Sequence, residues 1–262
     1  MELFGYLASI LIGITLGLIG GGGSILTVPI LVYLFKIDPE NATSYSLFIV
    51  GITAMVGSYR HFTLGNLRLR SALYFAIPSV VSLLIIRKLI LPNIPNSLFK
   101  IDNLEVTKNL LIMLVFAVLM IAASTSMIRK SKSQHTDKPV NLYRLAFIGF
   151  LVGFITGFLG AGGGFLIIPA LLFFANLEMK EAVGTSLVII FINSLIGFTG
   201  DVISGITINY QLLLTITAIA IVGMLIGTQL SKRIEGSKLK PAFGWFVLIT
   251  GIYIIIKEIF LK

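Results

Sequence analysis

The chain has no cysteine. That removes disulfides, thiolate metal sites and cysteine nucleophiles together. It has only two histidines, His61 and His135, too few for a histidine-rich metal site. Charge is scarce as well: 12% of the residues are Asp, Glu, Lys or Arg, about half the ~25% of an ordinary soluble domain. So few charges cannot cover a globular surface in water. The apolar segments hold no paired carboxylates, no Ser-His-Asp set and no metal-ligand spacing. No enzyme activity, metal or cofactor is expected from such a residue set.

What is abundant is apolar. Hydrophobic residues make up 56% of 262, and mean hydropathy is +1.01. Ten apolar segments can be marked: 3–19, 24–35, 42–59, 71–90, 107–128, 142–159, 164–175, 182–199, 210–230 and 242–260. Lipid demands internally satisfied backbones, and strand alternation of the barrel kind is missing, so the segments are expected to be helices. The second and seventh are short. Twelve residues rise about 18 Å, against a hydrocarbon core of about 30 Å. Met1–Ile19 lacks a basic n-region and a small-residue cleavage site, so it reads as the first membrane segment rather than a cleaved signal.

The net charge of +9 has a simple origin in Lys and Arg of cytoplasmic loops. No basic patch interleaved with aromatics lies outside the apolar segments, so nucleic acid is not an expected partner. Residues 129–141, RKSKSQHTDKPVN, form a polar, basic linker that divides the chain nearly in half. Residues 91–106, with Pro92, Pro95, Asp102 and Glu105, read as an extramembrane loop with little structure of its own.

The chain repeats itself. Shifted by 140 positions, 17–65 falls on 157–205 without a gap. Gly17/Gly157, Gly20/Gly160, Gly22/Gly162, Gly23/Gly163, Pro29/Pro169, Ser46/Ser186, Gly57/Gly197 and Gly65/Gly205 are identical. Duplicated glycines, a proline and a serine in register mark an internal repeat. Residues 1–128 and 142–262 are the two units.

Charge then gives orientation. If each half crosses the membrane an odd number of times, 13 basic residues share one side: Arg60, Arg68, Arg70, Arg129, Lys130, Lys132, Lys138, Arg144, Lys180, Lys232, Arg233, Lys238 and Lys240. Only 7 lie opposite: Lys36, Arg87, Lys88, Lys100, Lys108, Lys257 and Lys262. An even count splits them equally. The positive-inside rule selects the odd count, which inverts the second half and places the 60–70 and 129–141 loops in the cytoplasm. Inverted repeats are a transporter signature. Ten crossings, or six crossings plus two hairpins that turn inside the membrane, both satisfy this sidedness. The short second and seventh segments favour the hairpins. The expected fold is an all-α polytopic membrane protein of two inverted repeats. Each has a Gly-rich re-entrant helical hairpin and three transmembrane helices.

Two constellations could bind a ligand. The first is the pair of glycine clusters, Gly20, Gly21, Gly22, Gly23 and Ser24, and Gly160, Ala161, Gly162, Gly163 and Gly164. Consecutive glycines break a helix. The helix beyond each cluster presents unpaired N–H groups and a positive dipole end, which together suit an anion. Their alternative role is close helix packing. The second constellation opens the third segment of each half: Ser44, Tyr45 and Ser46, and Gly184, Thr185 and Ser186. Hydroxyls there can donate to an anion's oxygens, or cap and bond their own helix. Asn193, in an apolar segment, is a ligand or an interhelical hydrogen-bonding residue. Arg60, His61 and Asp201 at segment ends are candidates for gating or proton coupling, Arg60 equally for orientation. Arg87 and Lys88 are expected to snorkel to the interface.

With these residues the chain resembles the TauE/SafE family of sulfite exporters. The resemblance rests on the glycine cluster followed by Pro29, repeated as GAGGG with Pro169. It rests also on Ala-x-x-x-Ser-Leu at 42–47, on GTSL at 184–187 and on HFTLGNL at 61–67. It covers both repeats. It implies a secondary transporter in a prokaryotic inner membrane, moving sulfite or organosulfonates outward, with the substrate where the glycine hairpins meet. In the first half Ser44-Tyr45 stands where Gly184-Thr185 stands in the second, and the bulkier Tyr45 is expected to reshape the site. The partners expected are a small anionic substrate, the lipid bilayer and a proton as coupling ion. Uptake of thiosulfate or another small anion is the alternative within transport. A membrane scaffold without cargo is the alternative outside it.

Overall fold

A computed structural model describes residues 2–95, 97–101, 104–128, 141–159, 163–234 and 236–260. Ten α-helices appear among them. They are α1 (Glu2–Ile19), α2 (Gly22–Tyr33), α3 (Pro39–Thr63), α4 (Leu69–Ile85) and α5 (Lys108–Ile128), then α6 (Leu142–Leu159), α7 (Gly164–Phe174), α8 (Met179–Ile203), α9 (Tyr210–Ser231) and α10 (Gly236–Phe260). Helix α4 continues through a π-helical turn at Ile86–Ile90 and a 3-10 turn at Leu91–Asn93.

The fold is all-helical as expected, and the one departure among the described residues is the loop expected to have little structure of its own. The 91–106 stretch holds that 3-10 turn and an antiparallel hairpin, β1 (Ser97–Ile101) against β2 (Leu104–Thr107). Phe99 pairs with Val106 and Ile101 with Leu104. Apolar and β-branched residues such as Phe99, Ile101 and Val106 favour a short ladder.

Among the described residues, five segments are long and apolar enough to cross a membrane: Pro39–Thr63, Leu69–Asn93, Lys108–Thr125, Met179–Ile203 and Tyr210–Ser231. The chain is an integral membrane protein. Hydroxyls inside the helices bond back to their own carbonyls, as Thr27 of α2 does to Gly23 (2.8 Å), Thr53 to Ile49 (2.6 Å) and Thr217 to Leu213 (2.7 Å). Polar groups are thereby satisfied without water. Helix starts carry their own signals. Pro39 opens α3, Glu178 and Glu181 form a capping box on α8, and the Asn209 side chain accepts from Leu212 N–H at 3.1 Å.

Helices of the two halves pack reciprocally. Helix α1 lies on α9, and its repeat counterpart α6 lies on α4. Both pairs run parallel: Gly13 meets Ala220 and Gly17 meets Met224, while Gly149 meets Phe75 and Gly153 meets Ser79. These are backbone-to-backbone approaches. A Cβ on Gly13 would sit 1.8 Å from the Ala220 carbonyl oxygen, and one on Gly153 would sit 2.2 Å from that of Ser79. Glycine is required there because lipid supplies no hydrophobic drive and close packing must hold the helices together.

At the centre α3 and α8 cross antiparallel. Ser44 meets Asp201, Gly51 meets Ser194 and Leu195, and Gly184 meets His61. The first helix pair of each half folds back on itself. Tyr6 of α1 stacks edge-on against Phe35 just beyond α2 at 5.3 Å, and Arg144 of α6 lies over Phe174 of α7 at 4.8 Å.

Candidate functional site

The glycine turns come together. Gly20 ends α1 with φ +78°, and Gly163 caps α7 with φ +73°. Side chains disfavour that left-handed conformation, so these positions select glycine. Helix α2 begins at Gly22 and α7 at Gly164, which aligns with Ser24 in the repeat, so the second turn is two residues longer.

Gly21 and Gly164 touch across the halves. A Cβ on Gly21 would lie 2.2 Å from the Gly164 carbonyl oxygen, and one on Gly164 would lie 2.5 Å from Gly21 Cα. Gly164 also rests against Ile190, near the midpoint of α8. The N-terminal ends of α2 and α7 therefore converge in the interior. Gly23 serves packing within the first hairpin, since its Cβ would strike the Ile12 carbonyl oxygen at 2.2 Å. Gly160 and Gly162 lie outside the described residues, as does the 129–140 linker. Gly22 and Ser24 are placed in the first turn of α2 by their backbone alone.

Ser186 reaches this junction. Its hydroxyl lies 2.8 Å from the Val183 carbonyl and 3.3 Å from the Gly20 carbonyl, so an α8 side chain of one half bonds the turn of the other. Ser46, its counterpart on α3, is fully buried with no hydrogen-bond partner among the described residues. One and two turns beyond Ser186 on the same face come Ile190 and Asn193. The Asn193 amide donates to Ser79 Oγ on α4 at 2.6 Å, and its carbonyl oxygen has no partner. Ser194 Oγ is likewise buried and unpartnered. A buried polar atom without a partner costs about 1–3 kcal/mol. Ser46 Oγ, Asn193 Oδ1 and Ser194 Oγ are three such atoms within α3 and α8 among the described residues.

The other hydroxyls at the helix starts do a different job. Tyr45 OH accepts from Asn209 N–H at 2.6 Å and lies 3.4 Å from the Thr207 carbonyl. Thr185 Oγ1 accepts from Arg68 N–H at 3.1 Å. Asn209 and Arg68 are the N-caps of α9 and α4. Residues 45 and 185, which align in the repeat, thus each cap a helix in the opposite half. Tyr45 is long enough to do with a phenol what Thr185 does with a short hydroxyl. Gly184 packs beneath the α3–α4 loop, where its Cβ would lie 2.0 Å from the Asn66 carbonyl oxygen.

The charged candidates separate. Arg60 is exposed at the end of α3. His61 is buried and neither ring nitrogen has a partner. Asp201, its repeat counterpart, forms a buried ion pair with Arg87, and Ser44 donates to Asp201 Oδ2 at 2.6 Å. Arg87 also donates to Thr43 Oγ1 at 3.1 Å. The expected snorkelling of Arg87 is corrected here: its side chain is 3% exposed, drawn inward by Asp201, whereas Lys88 is exposed. An arginine in an apolar segment was visible in the sequence. The carboxylate that holds it lies 114 residues away and carries no local signal.

Two cavities lie away from the glycine junction. A groove of about 450 Å³ between α5 and α6 is lined only by apolar residues, among them Val118 and Phe154. A polar mouth of about 400 Å³ is lined by Asp38, Glu40, Asn41, Thr107, Lys108 and Asn109.

The chain is similar in sequence to known proteins. A "Probable membrane transporter protein" of Xylella fastidiosa is 29% identical over 253 residues, covering 94% of this chain and 91% of the relative. "Probable membrane transporter protein YdhB" of Bacillus subtilis is 26% identical, covering 95% and 98%. A third, from Haemophilus influenzae, is 28% identical, covering 96% and 97%. The family model described as "Sulfite exporter TauE/SafE" matches residues 6–254. Both glycine clusters and the whole of the α3–α8 crossing fall within that match, and the chain belongs to the TauE/SafE family.

Proposed function

We propose that the protein is a secondary transporter that exports small sulfur-containing anions, sulfite or an organosulfonate, by alternating access. One observation carries the reading: the N-terminal ends of α2 and α7, one from each half, converge at Gly21 and Gly164 beside Ser186. A helix N-terminus carries N–H groups outside the intrahelical ladder and a positive dipole end, and two such ends meet here. Broken segments of this kind at matching places in two halves are where transporters hold substrate. The anion is held by N–H groups at the starts of α2 and α7, with Ser46, Ser186 and Asn193 as hydroxyl and amide partners. Ser44, Tyr45 and Thr185 act at the ends of the crossing, holding the halves to each other.

The two halves are inverted repeats, and the α1–α2 and α6–α7 pairs are re-entrant hairpins. Supporting this, α3 and α8 align in the repeat yet run antiparallel, and α1 on α9 mirrors α6 on α4. Tight contact at Gly21 and Gly164 fits an occluded state, which opens toward one side as the halves rock. The excess of Lys and Arg beside Arg60, Arg68 and Arg70 supports a cytoplasmic position for that end in a prokaryotic inner membrane. Protons or the membrane potential supply the drive.

The test is ligand-induced thermal stabilisation of purified protein by sulfite, thiosulfate, sulfoacetate, taurine, sulfate and acetate, followed by flux in proteoliposomes in both directions. Stabilisation scales with concentration over dissociation constant. A selective shift with one sulfur oxyanion, lost in Ser186→Phe, supports the site and names the cargo. Inward flux against a gradient would replace export with uptake. No shift and no flux with any of these anions at millimolar concentration would sink the reading and favour a scaffold.

A further inference from the structure

The buried charges at the far end of the α3–α8 crossing have no counterpart at the near end. Ser44 and Asp201 align with Gly184 and His61 in the repeat. At the Gly184 end the described residues show no buried cation: His61 faces Gly184, and the Arg68–Glu181 pair there is largely exposed, with 58% of the Arg68 side chain open. The two-fold pattern of the fold therefore does not require a buried arginine at either end.

The Arg87 guanidinium is also incompletely used. Its Nη1 donates to Asp201 Oδ2 and lies 3.3 Å from Ser44 Oγ, and its Nη2 donates to Thr43 Oγ1. Its Nε is buried and has no partner among the described residues. One carboxylate oxygen thus receives both Arg87 and Ser44, while the edge formed by Nε is empty of acceptors. A guanidinium is a planar fork of five donors that matches two oxygens of one anion at once. Here it is bound through a single point of a carboxylate, with two hydroxyls already turned toward it. Arg87 stands on the π-helical turn that extends α4, and such turns recur at functional sites.

A polar mouth lies one hydrogen bond away from this spot. Thr43, which accepts from Arg87, itself donates to the Glu40 backbone carbonyl at 2.7 Å. Glu40 lines the polar mouth and pairs with Lys108 at 2.7 Å. Asp38 and Glu40 outnumber Lys108 around that mouth, so the rim itself does not attract anions. The Arg87 guanidinium, linked to Glu40 through Thr43, is a buried cation near it.

We propose that Arg87 is a second anion station, distinct from the glycine junction, at which Asp201 acts as a built-in carboxylate that a small oxyanion displaces. An oxyanion such as sulfite or sulfate seats on the Nε and Nη edge with the Thr43 and Ser44 hydroxyls beside it. Asp201 swings out as that end opens and returns after the anion leaves. Passage of cargo through the station rests on the transport reading above. Binding of an oxyanion to Arg87 does not.

The experiment is chemical rescue. Asp201→Ala removes the internal carboxylate and leaves room for an external one. Its melting temperature is measured in sulfite, sulfate or formate and in gluconate at matched ionic strength. The expected result is a marked loss of stability in gluconate and a dose-dependent recovery with the small oxyanions, larger than the same anions give wild type. Arg87→Gln/Asp201→Ala should show no such recovery. If Asp201→Ala is not recovered folded in gluconate, purification in sulfite becomes the readout, with Asp201→Asn as the folded companion. Recovery only in sulfite supports the station. Absence of any oxyanion effect in both variants overturns it and leaves Arg87–Asp201 a fixed structural pair. The same titration in Gly21→Ala/Asp201→Ala separates the two sites. Rescue that persists there belongs to Arg87, and rescue lost there yet untouched by Arg87→Gln would place the anion at the junction and refute the assignment.

Discussion

Gly21→Ala is the sharpest perturbation of the glycine junction. The added methyl would lie 2.2 Å from the Gly164 carbonyl oxygen, 2.4 Å from its carbon and 3.0 Å from its Cα. All three are backbone atoms, so no side chain can rotate away. Restoring ordinary contact requires the two turns to part by about 1 Å, and overpacking of that kind typically costs ~1–3 kcal/mol. A displacement of about 1 Å at a ligand-positioning site can cost ~10²-fold in function. The variant should therefore fold with a lowered melting temperature and lose most proteoliposome flux of the selected sulfur anion. Gly200→Ala is the control. Its Cβ would meet only Leu84 Cδ2 at 3.4 Å and Lys88 Cε at 3.9 Å, within a helix. Replacing a helical glycine there should be neutral or stabilise by ~0.5–1 kcal/mol, with flux unchanged. Wild-type flux and melting temperature in Gly21→Ala would refute the tight contact, and with it the argument that the two turns are held together at one point.

Other residues give graded outcomes. Ser186→Ala removes the contact to Gly20 and should cost about 1 kcal/mol while reducing anion-induced stabilisation, both read in one thermal titration. Tyr45→Phe and Thr185→Val each orphan a capping N–H, of Asn209 and Arg68 respectively. Each should destabilise by ~1–3 kcal/mol and leave the anion dissociation constant unchanged, which equilibrium binding checks. Arg68→Gln breaks a largely exposed pair with Glu181 and should change stability by at most ~1 kcal/mol. Asp201→Asn strands a buried guanidinium and should cost ~3–5 kcal/mol, so denaturation of the two variants side by side should separate them clearly.

The sequence by itself determined the solvent, the repeat and the breaks. Charge too sparse for water and ten apolar runs require lipid, because no other environment suits that surface. Register between Gly17–Gly65 and Gly157–Gly205 is visible in the chain, and runs of glycine cannot continue a helix. The glycines of α1 and α6 were legible only as glycines. Whether one serves a close helix crossing, as Gly13 and Gly153 do, or a turn, as Gly20 and Gly163 do, depends on what lies opposite. Partners across the crossing were decided by tertiary structure alone. Helices that are apolar all round carry no stripe to say which face meets which neighbour. Nothing local could therefore show that Tyr45 caps α9, that Thr185 caps α4, or that Arg87 turns inward to Asp201. Those pairings join residues more than 100 positions apart, and only packing the two halves together brings them within reach.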